Sequence, residues 1–357
     1  MPVTMEELLK LMVREDASDL HLTAGSPPVL RVHEQMRVTE FEKLTPEGAR
    51  ELIYSMLSES RIRIYEEEME LDLSFGLEGL GRFRANVFRQ RGCVAAAIRH
   101  VPFGIRSMDD LGLANSVQKL ADLPKGLVLV TGATGSGKST TLAALVDRIN
   151  TEQEVHIITV EDPIEYVHQH KKAIVNQREV GSDTKSFGTA LKYVLREDPD
   201  VILVGEMRDL ETIQAALTSA ETGHLVLATL HTSDAVQTIN RIIDVFPSHQ
   251  QDQVRVQLSF VLQAIIAQQL IPRKDGVGRI LAAEVMLATP AIRALIRESK
   301  AHQIYSMIQT GAQMGMQTMN QSLAQLCKSG KITQDDALSR TLDVDDLRRI
   351  LLQRATV

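Results

Sequence analysis

Between Gly132 and Ser139 the chain reads Gly-Ala-Thr-Gly-Ser-Gly-Lys-Ser. This spacing of glycines, lysine and hydroxyl suits one task, the holding of phosphates. Gly132, Gly135 and Gly137 let the backbone turn tightly enough to aim several N–H groups at one anion. Ala133, Thr134 and Ser136 complete that loop. A helix starting at Lys138 presents its positive end to the same phosphates. Lys138 has the reach for the β- and γ-phosphates, the Ser139 hydroxyl is placed to ligate Mg²⁺, and Thr140 to donate to the α-phosphate. The flanks agree. An apolar run at 127–130 precedes the loop as a buried strand, and Leu142, Leu145, Val146 and Ile149 follow it at helical spacing. A glycine-rich turn that binds nothing lacks this context, so the sequence predicts a bound nucleoside triphosphate.

Hydrolysis needs more than a cradle. The apolar run at 201–204 ends in Gly205-Glu206, and a glutamate there reaches about one carbon further than an aspartate, far enough to orient an attacking water. An ordinary strand-end carboxylate is the alternative. The run at 157–160 leads into Glu161, Asp162 and Glu165. So many carboxylates at the end of a parallel strand face the ligand crevice and call for a cation. Glu161 is the candidate for a second water or Mg²⁺ contact; a solvated acidic turn is the other reading. His231, at the far end of the run 225–229, is placed to sense a γ-phosphate, whereas His224, at the other end, is less obviously near the site. A metal site lacks a third ligand, and a merely structural histidine stays open. Arg82, Arg84, Arg89 and Arg91 cluster on one N-terminal strand and its turn. They are either a solvated face or, in a ring, fingers that reach a neighbour's triphosphate.

The elements that must position these groups divide the chain. Residues 1–101 alternate short helices and period-two strands, as in a small α+β domain, and residues 102–112 form a linker broken by Gly104 and Gly112. From 113 to 290, apolar runs separated by helical segments predict a parallel-rich sheet covered on both faces, an α/β core. After Ser248 the pattern reads mostly helical to the end. Residues 291–357 are set apart as a C-terminal helical region. Within it, residues 291–298 form an amphipathic helix with Ile292, Leu295 and Ile296 on one side and Arg293 and Arg297 on another.

Bulk properties narrow the class. The chain has 357 residues, 44% hydrophobic and 24% charged, no tryptophan, two cysteines and a net charge of −7. An acidic balance without a dense Lys/Arg run disfavours nucleic acid. Cys93 and Cys327 have no ligand-spaced partners, so neither a disulfide framework nor a zinc site is expected, and a reducing compartment fits. With no leader and no apolar run near a membrane span in length, the expectation is a soluble cytoplasmic protein with at most peripheral membrane contact.

Four blocks in order carry a resemblance. They are the phosphate loop, Ile-Thr-Val-Glu-Asp-Pro-Ile-Glu-Tyr, the stretch from Leu195 to Asp209 around Glu206, and Thr-Gly-His through Thr-Leu-His-Thr. They resemble the Walker A, Asp box, Walker B and His box of the type II secretion and type IV pilus ATPases. Ala17-Ser18-Asp19-Leu20-His21-Leu22 is similar to the start of that family's PAS-like N-terminal domain, and residues 291–298 to the C-terminal motif of its pilus-retraction branch. The family's assembly and secretion branches carry a further N-terminal domain and a four-cysteine motif, which also points to retraction. Ala133 stands where the family usually has proline, and Ala294 where relatives often have asparagine. The resemblance implies a PAS-like domain, a RecA-like core and C-terminal helices in a homohexamer that binds ATP and Mg²⁺ and hydrolyses ATP. It further implies an inner-membrane platform protein as partner, pilin moved indirectly, and a place at the cytoplasmic base of the pilus. An accessory nucleotide-gated ring subunit, or another translocase on the same core, is the alternative.

Overall fold

In the computed structural model, residues 3–32, 35–77, 79–101 and 104–352 are described. The chain falls into two compact units, Met1–Gly104 and Ile105–Val357. Of the predicted linker, Pro102 and Phe103 lie outside the described residues.

The first unit is a six-stranded antiparallel sheet in the order β3-β2-β1-β6-β5-β4. Its strands are β1 (Ala17–Leu22), β2 (Val29–Val32), β3 (Gln35–Val38), β4 (Glu70–Leu77), β5 (Gly81–Gln90) and β6 (Cys93–Val101). Local chemistry sets its helices. Thr4 and Glu7 form a reciprocal capping box that starts the helix Met5–Arg14, and Thr45 caps Pro46–Tyr54 with proline in its first turn. The first helix buries Leu8, Leu9 and Met12 in the cluster that also takes Phe83, Ala85 and Val87 from β5. The intervening Arg82 and Arg84 therefore point to the opposite face of that strand.

The second unit holds a seven-stranded sheet in the order β13-β12-β7-β11-β10-β8-β9. Its strands are β7 (Gly126–Thr131), β8 (His156–Glu161), β9 (Ile174–Glu179), β10 (Val201–Val204), β11 (Leu225–Leu230), β12 (Leu262–Pro272) and β13 (Arg279–Leu287). All neighbours pair in parallel except β12 with β13. Two cores flank it. Leu127 and Leu129 of β7 enter one, together with helices Phe187–Val194, Leu210–Glu221 and Ala235–Asp244. Val128 and Val130 enter the other, against the helix Lys138–Glu152. Strands apolar on both faces are what such double coverage requires.

Two expectations change. The stretch after Ser248 is helical at both ends, but residues 262–272 and 279–287 form a strand pair that extends the sheet, with β12 parallel to β7. An apolar run of this kind has no periodicity that separates a buried strand from a buried helix. What decides is the open edge of β7, a partner more than a hundred residues away. The helix Pro290–Arg297 also does not stand apart. Ile292 and Ile296 are fully buried in the core of the same unit, and the later helices pack Leu323, Ala337 and Leu347 on Ile271 and Ala282 of the β12–β13 pair.

Ile296→Ala removes buried volume from this shared core and should cost about 3 kcal/mol. The loss should appear as a lower urea midpoint for the whole second unit, followed by circular dichroism. Fraying of one helix at an unchanged midpoint would contradict the shared core.

Candidate active site

Because β7, β11, β10 and β8 run in one direction, their carboxyl ends share one edge of the sheet. Their following loops bound a cavity of about 480 Å³, a size typical of small-molecule sites. Its lining takes Thr134, Gly135, Gly137, Lys138, Ser139 and Thr140 from the loop after β7. To these are added Glu161, Asp162 and Glu165 after β8, Glu206 and Arg208 after β10, and His231 after β11.

The phosphate loop is held by close approaches that only glycine permits. Gly132 has φ +139°, and a Cβ there would lie 2.4 Å from the Gln268 carbonyl oxygen and 2.6 Å from Ser136 Oγ. Gly137, at φ +90°, turns the chain into the helix Lys138–Glu152, whose first N–H groups have no side-chain cap and face the cavity as an anion site. The Lys138 ammonium folds back onto the loop, donating to the carbonyls of Gly132 (2.8 Å) and Ala133 (3.0 Å). Burial pushes this ammonium down, and the Glu206 and Glu165 carboxylates oppose that shift. Thr140 is engaged with the Tyr166 hydroxyl at 2.9 Å, an arrangement not evident from the loop pattern.

Glu206 follows the strand between those that lead to His231 and Glu161. Its backbone is pinned on both sides. The Gly205 N–H donates to the Val160 carbonyl at 2.8 Å, the Met207 N–H to the Thr229 carbonyl at 3.0 Å, and Thr229 Oγ1 to the Gly205 carbonyl. A Cβ on Gly205 would sit 3.2 Å from Glu161 Cα, so glycine lets β10 end tight against β8. Both carboxylate oxygens of Glu206 are occupied, Oε2 by Arg208 Nη2 at 2.7 Å and Oε1 by His231 Nε2 at 3.1 Å. Burial pushes the Glu206 carboxyl up, but Arg208 and His231 outweigh it and leave the group below its ordinary value. Glu161 differs: burial pushes its carboxyl up against the hydrogen bonds its Oε1 accepts from Thr159 (2.7 Å) and Gln177 (3.2 Å). Two neighbouring carboxylates are thus shifted in opposite directions, one by its charged partners and the other by burial.

The predicted groups Lys138, Ser139, Glu161, Glu206 and His231 come together. Arg82 and Arg84 lie on β5 of the first unit. His224 stands at the other end of β11, with Nδ1 2.9 Å from the Ser219 carbonyl. Sequence reasoning missed Arg208, although it lies two residues past Glu206, and also Leu270 and Arg279, which the β12–β13 pair brings to the cavity wall. No local signal marks those last two.

For a divalent cation the lining offers several hydroxyls and carboxylates, among them Ser139 at the helix start and Glu161 at the end of β8. Among the described residues no group of three or more His, Cys, Asp or Glu is arranged to hold a metal alone. A hydroxyl and a carboxylate of this kind fit Mg²⁺, which takes one or two protein ligands and the rest from phosphates and water.

Two outcomes follow from this geometry. Gly132→Ala should weaken nucleotide binding by at least about 10-fold, since the added methyl drives the loop off β12; titration calorimetry with ADP reads this directly. Glu206 also links stability to pH. Its carboxyl is held low, so its contribution is complete above the ordinary carboxylate value and is lost as pH falls through the depressed one. The urea midpoint of the native chain should therefore rise relative to Glu206→Gln from pH 3 to pH 6, whereas a constant gap would show that Arg208 and His231 do not hold the carboxylate.

Residues 3–339 match the family model described as "Type II/IV secretion system protein". The type IV pilus retraction ATPase PilT of Pseudomonas aeruginosa is 50% identical over 331 residues, 93% of this chain and 96% of that protein. A twitching motility protein of Neisseria gonorrhoeae is 48% identical over 320 residues, 90% of this chain and 86% of its own length. A crystal structure of the pilus retraction motor PilT with bound ADP superposes with a TM-score of 0.92 at 54% identity, covering 97% of this chain and 99% of that one.

Proposed function

The chain belongs to the type II/IV secretion system protein family, and from that premise we propose that it is an ATP-hydrolysing motor that powers retraction of type IV pili. One observation carries the reading. Glu206 is held by Arg208 and His231 at the rim of the phosphate-loop cavity, in a chain half identical to a pilus retraction ATPase along nearly its whole length.

In this reading the first N–H groups of the helix Lys138–Glu152 receive the phosphates of ATP. Lys138 exchanges its two loop carbonyls for phosphate oxygens, a stronger charge-assisted pairing. Ser139 and Glu161 would hold Mg²⁺, which would supply neutralisation of charge on the phosphates. Arg208 and His231 turn from Glu206 toward the γ-phosphate as it arrives, which leaves the glutamate free to accept a proton. Glu206 then orients a water whose oxygen attacks the γ-phosphorus. The bond to the β–γ bridging oxygen breaks, ADP leaves with that electron pair, and the water proton passes to Glu206. Arg82 and Arg84 act in trans on a neighbour's triphosphate within a homohexamer, so that turnover depends on assembly.

The motor works on an inner-membrane platform protein, through which pilin subunits return to the bilayer. Among the described residues no helix is long and apolar enough to cross a membrane, which supports peripheral attachment at the cytoplasmic base of the pilus. The acidic net charge of −7 supports a protein partner over nucleic acid.

Glu206→Gln keeps the shape of the site and removes the base. It should bind ATP as the native chain does yet turn it over at least about 10²-fold more slowly, measured as steady-state phosphate release beside equilibrium ATP binding. Near-normal turnover would remove Glu206 from the role. Specific activity should rise with protein concentration as hexamers form, and turnover by a strictly monomeric species would end the in-trans role of Arg82 and Arg84.

A further inference from the structure

Glu284 lies on β13 opposite Ala267 of β12 and is only 3% exposed. No step of hydrolysis uses it. Its Oε1 accepts the Ala235 N–H at 2.8 Å, and the backbone of Met319 lends the carboxylate a weaker second stabilisation. Ala235 and Met319 are the first residues of the helices Ala235–Asp244 and Met319–Lys328. First-turn N–H groups have no partner inside their own helix and carry its positive end. One buried carboxylate thus serves two helix starts.

The first of those helices begins four residues after His231, and the turn between is tightly tied. Asp234 accepts the Gln237 N–H at 2.8 Å. Thr238 Oγ1 donates to the Asp234 carbonyl at 2.6 Å and lies 2.7 Å from Thr232 Oγ1. Thr232 adjoins His231, which faces Glu206 at 3.1 Å. Glu284 and Glu206 are thus linked through one short, hydrogen-bonded turn of the chain, residues 231–238. Burial pushes the Glu284 carboxyl up to about 7, against the Ala235 N–H, and the nearby Asp234 charge adds to the rise. A buried acid at this place is costly to ionise unless the helix starts repay it.

We propose that Glu284 is a positioning residue: by anchoring two helix starts on one carboxylate, it sets where the His231 loop stands over Glu206 and couples that loop to the C-terminal helix Met319–Lys328. The inference rests on the hydrolytic reading given above. Loss of the anchor acts on the transition state more than on nucleotide binding, because the phosphate loop and its helix are untouched.

The test uses the full chain with Glu284→Ala and Glu284→Gln, read by hydrogen exchange and by steady-state ATP hydrolysis. Glu284→Ala should speed exchange in residues 231–238 and 318–324 by roughly 10-fold. It should lower kcat by roughly 10-fold while KM for ATP stays within about 3-fold. Glu284→Gln keeps one acceptor, so it should loosen one of the two segments and hold kcat within about 3-fold of native; it carries the exchange test if the alanine variant does not fold. Unchanged exchange at 231–238 in the alanine variant overturns the anchor, as does loosening of neither segment in the glutamine variant. Loosened exchange with native kcat overturns the positioning role, and so does a uniform loss of protection across the unit with kcat and KM unaltered. A native chain that binds ATP but hydrolyses none would instead sink the hydrolytic reading, with the exchange data alone then deciding whether Glu284 anchors both helices.

Discussion

The parallel alignment of β7, β11, β10 and β8 is the constraint on which the rest depends. Each strand contributes one chemical group just past its end, and a common direction places all four ends on one edge of the sheet. Were any strand reversed, its group would stand some 15–20 Å away at the opposite edge, given the length of an ordinary strand. His224 shows this within one strand. It belongs to β11 as much as His231 does, but it precedes the strand and hydrogen-bonds to a helix end instead. Double coverage by helices keeps those strands parallel, so the two flanking cores are what hold the site in register.

Within that frame the electrostatics describe a site that waits in a paired state. Lys138 is bound to two carbonyls of its own loop, and Arg208 to the carboxylate it accompanies. Nucleotide binding on these terms is an exchange of partners rather than the filling of an unpaired positive hole. Such exchange avoids leaving a buried cation without acceptors, whose cost would fall on the stability of the free protein. The same logic separates the two glutamates. Arg208 and His231 hold Glu206 in its ionised form, whereas burial resists ionisation of Glu161 and leaves it dependent on a nearby cation.

Close packing supplies the precision. Gly132 and Gly205 mark two places at the site where the backbone comes unusually close to a neighbouring segment. They bring the phosphate loop against β12 and the Glu206 turn against β8. The β12–β13 pair is therefore part of the site's frame. It backs the loop at Gln268, supplies Leu270 and Arg279 to the cavity wall, and carries Glu284 to the helix that follows His231.

Much of this was legible in the residues alone because its causes are local. Glycine spacing, a lysine at a helix start, and carboxylates and a histidine at the ends of apolar runs are all set by neighbours a few positions away. What the sequence by itself determined was thus the nucleotide chemistry, the α/β class and the residues most able to act. The tertiary structure decided the order of the strands, which places Glu206 between His231 and Glu161. It also turned residues 262–287 into strands and buried Ile292 and Ile296 in the common core. The reason is physical. An apolar run carries its own hydrophobicity but not the identity of its partner, and strand pairing between residues a hundred positions apart leaves no periodic trace in either one.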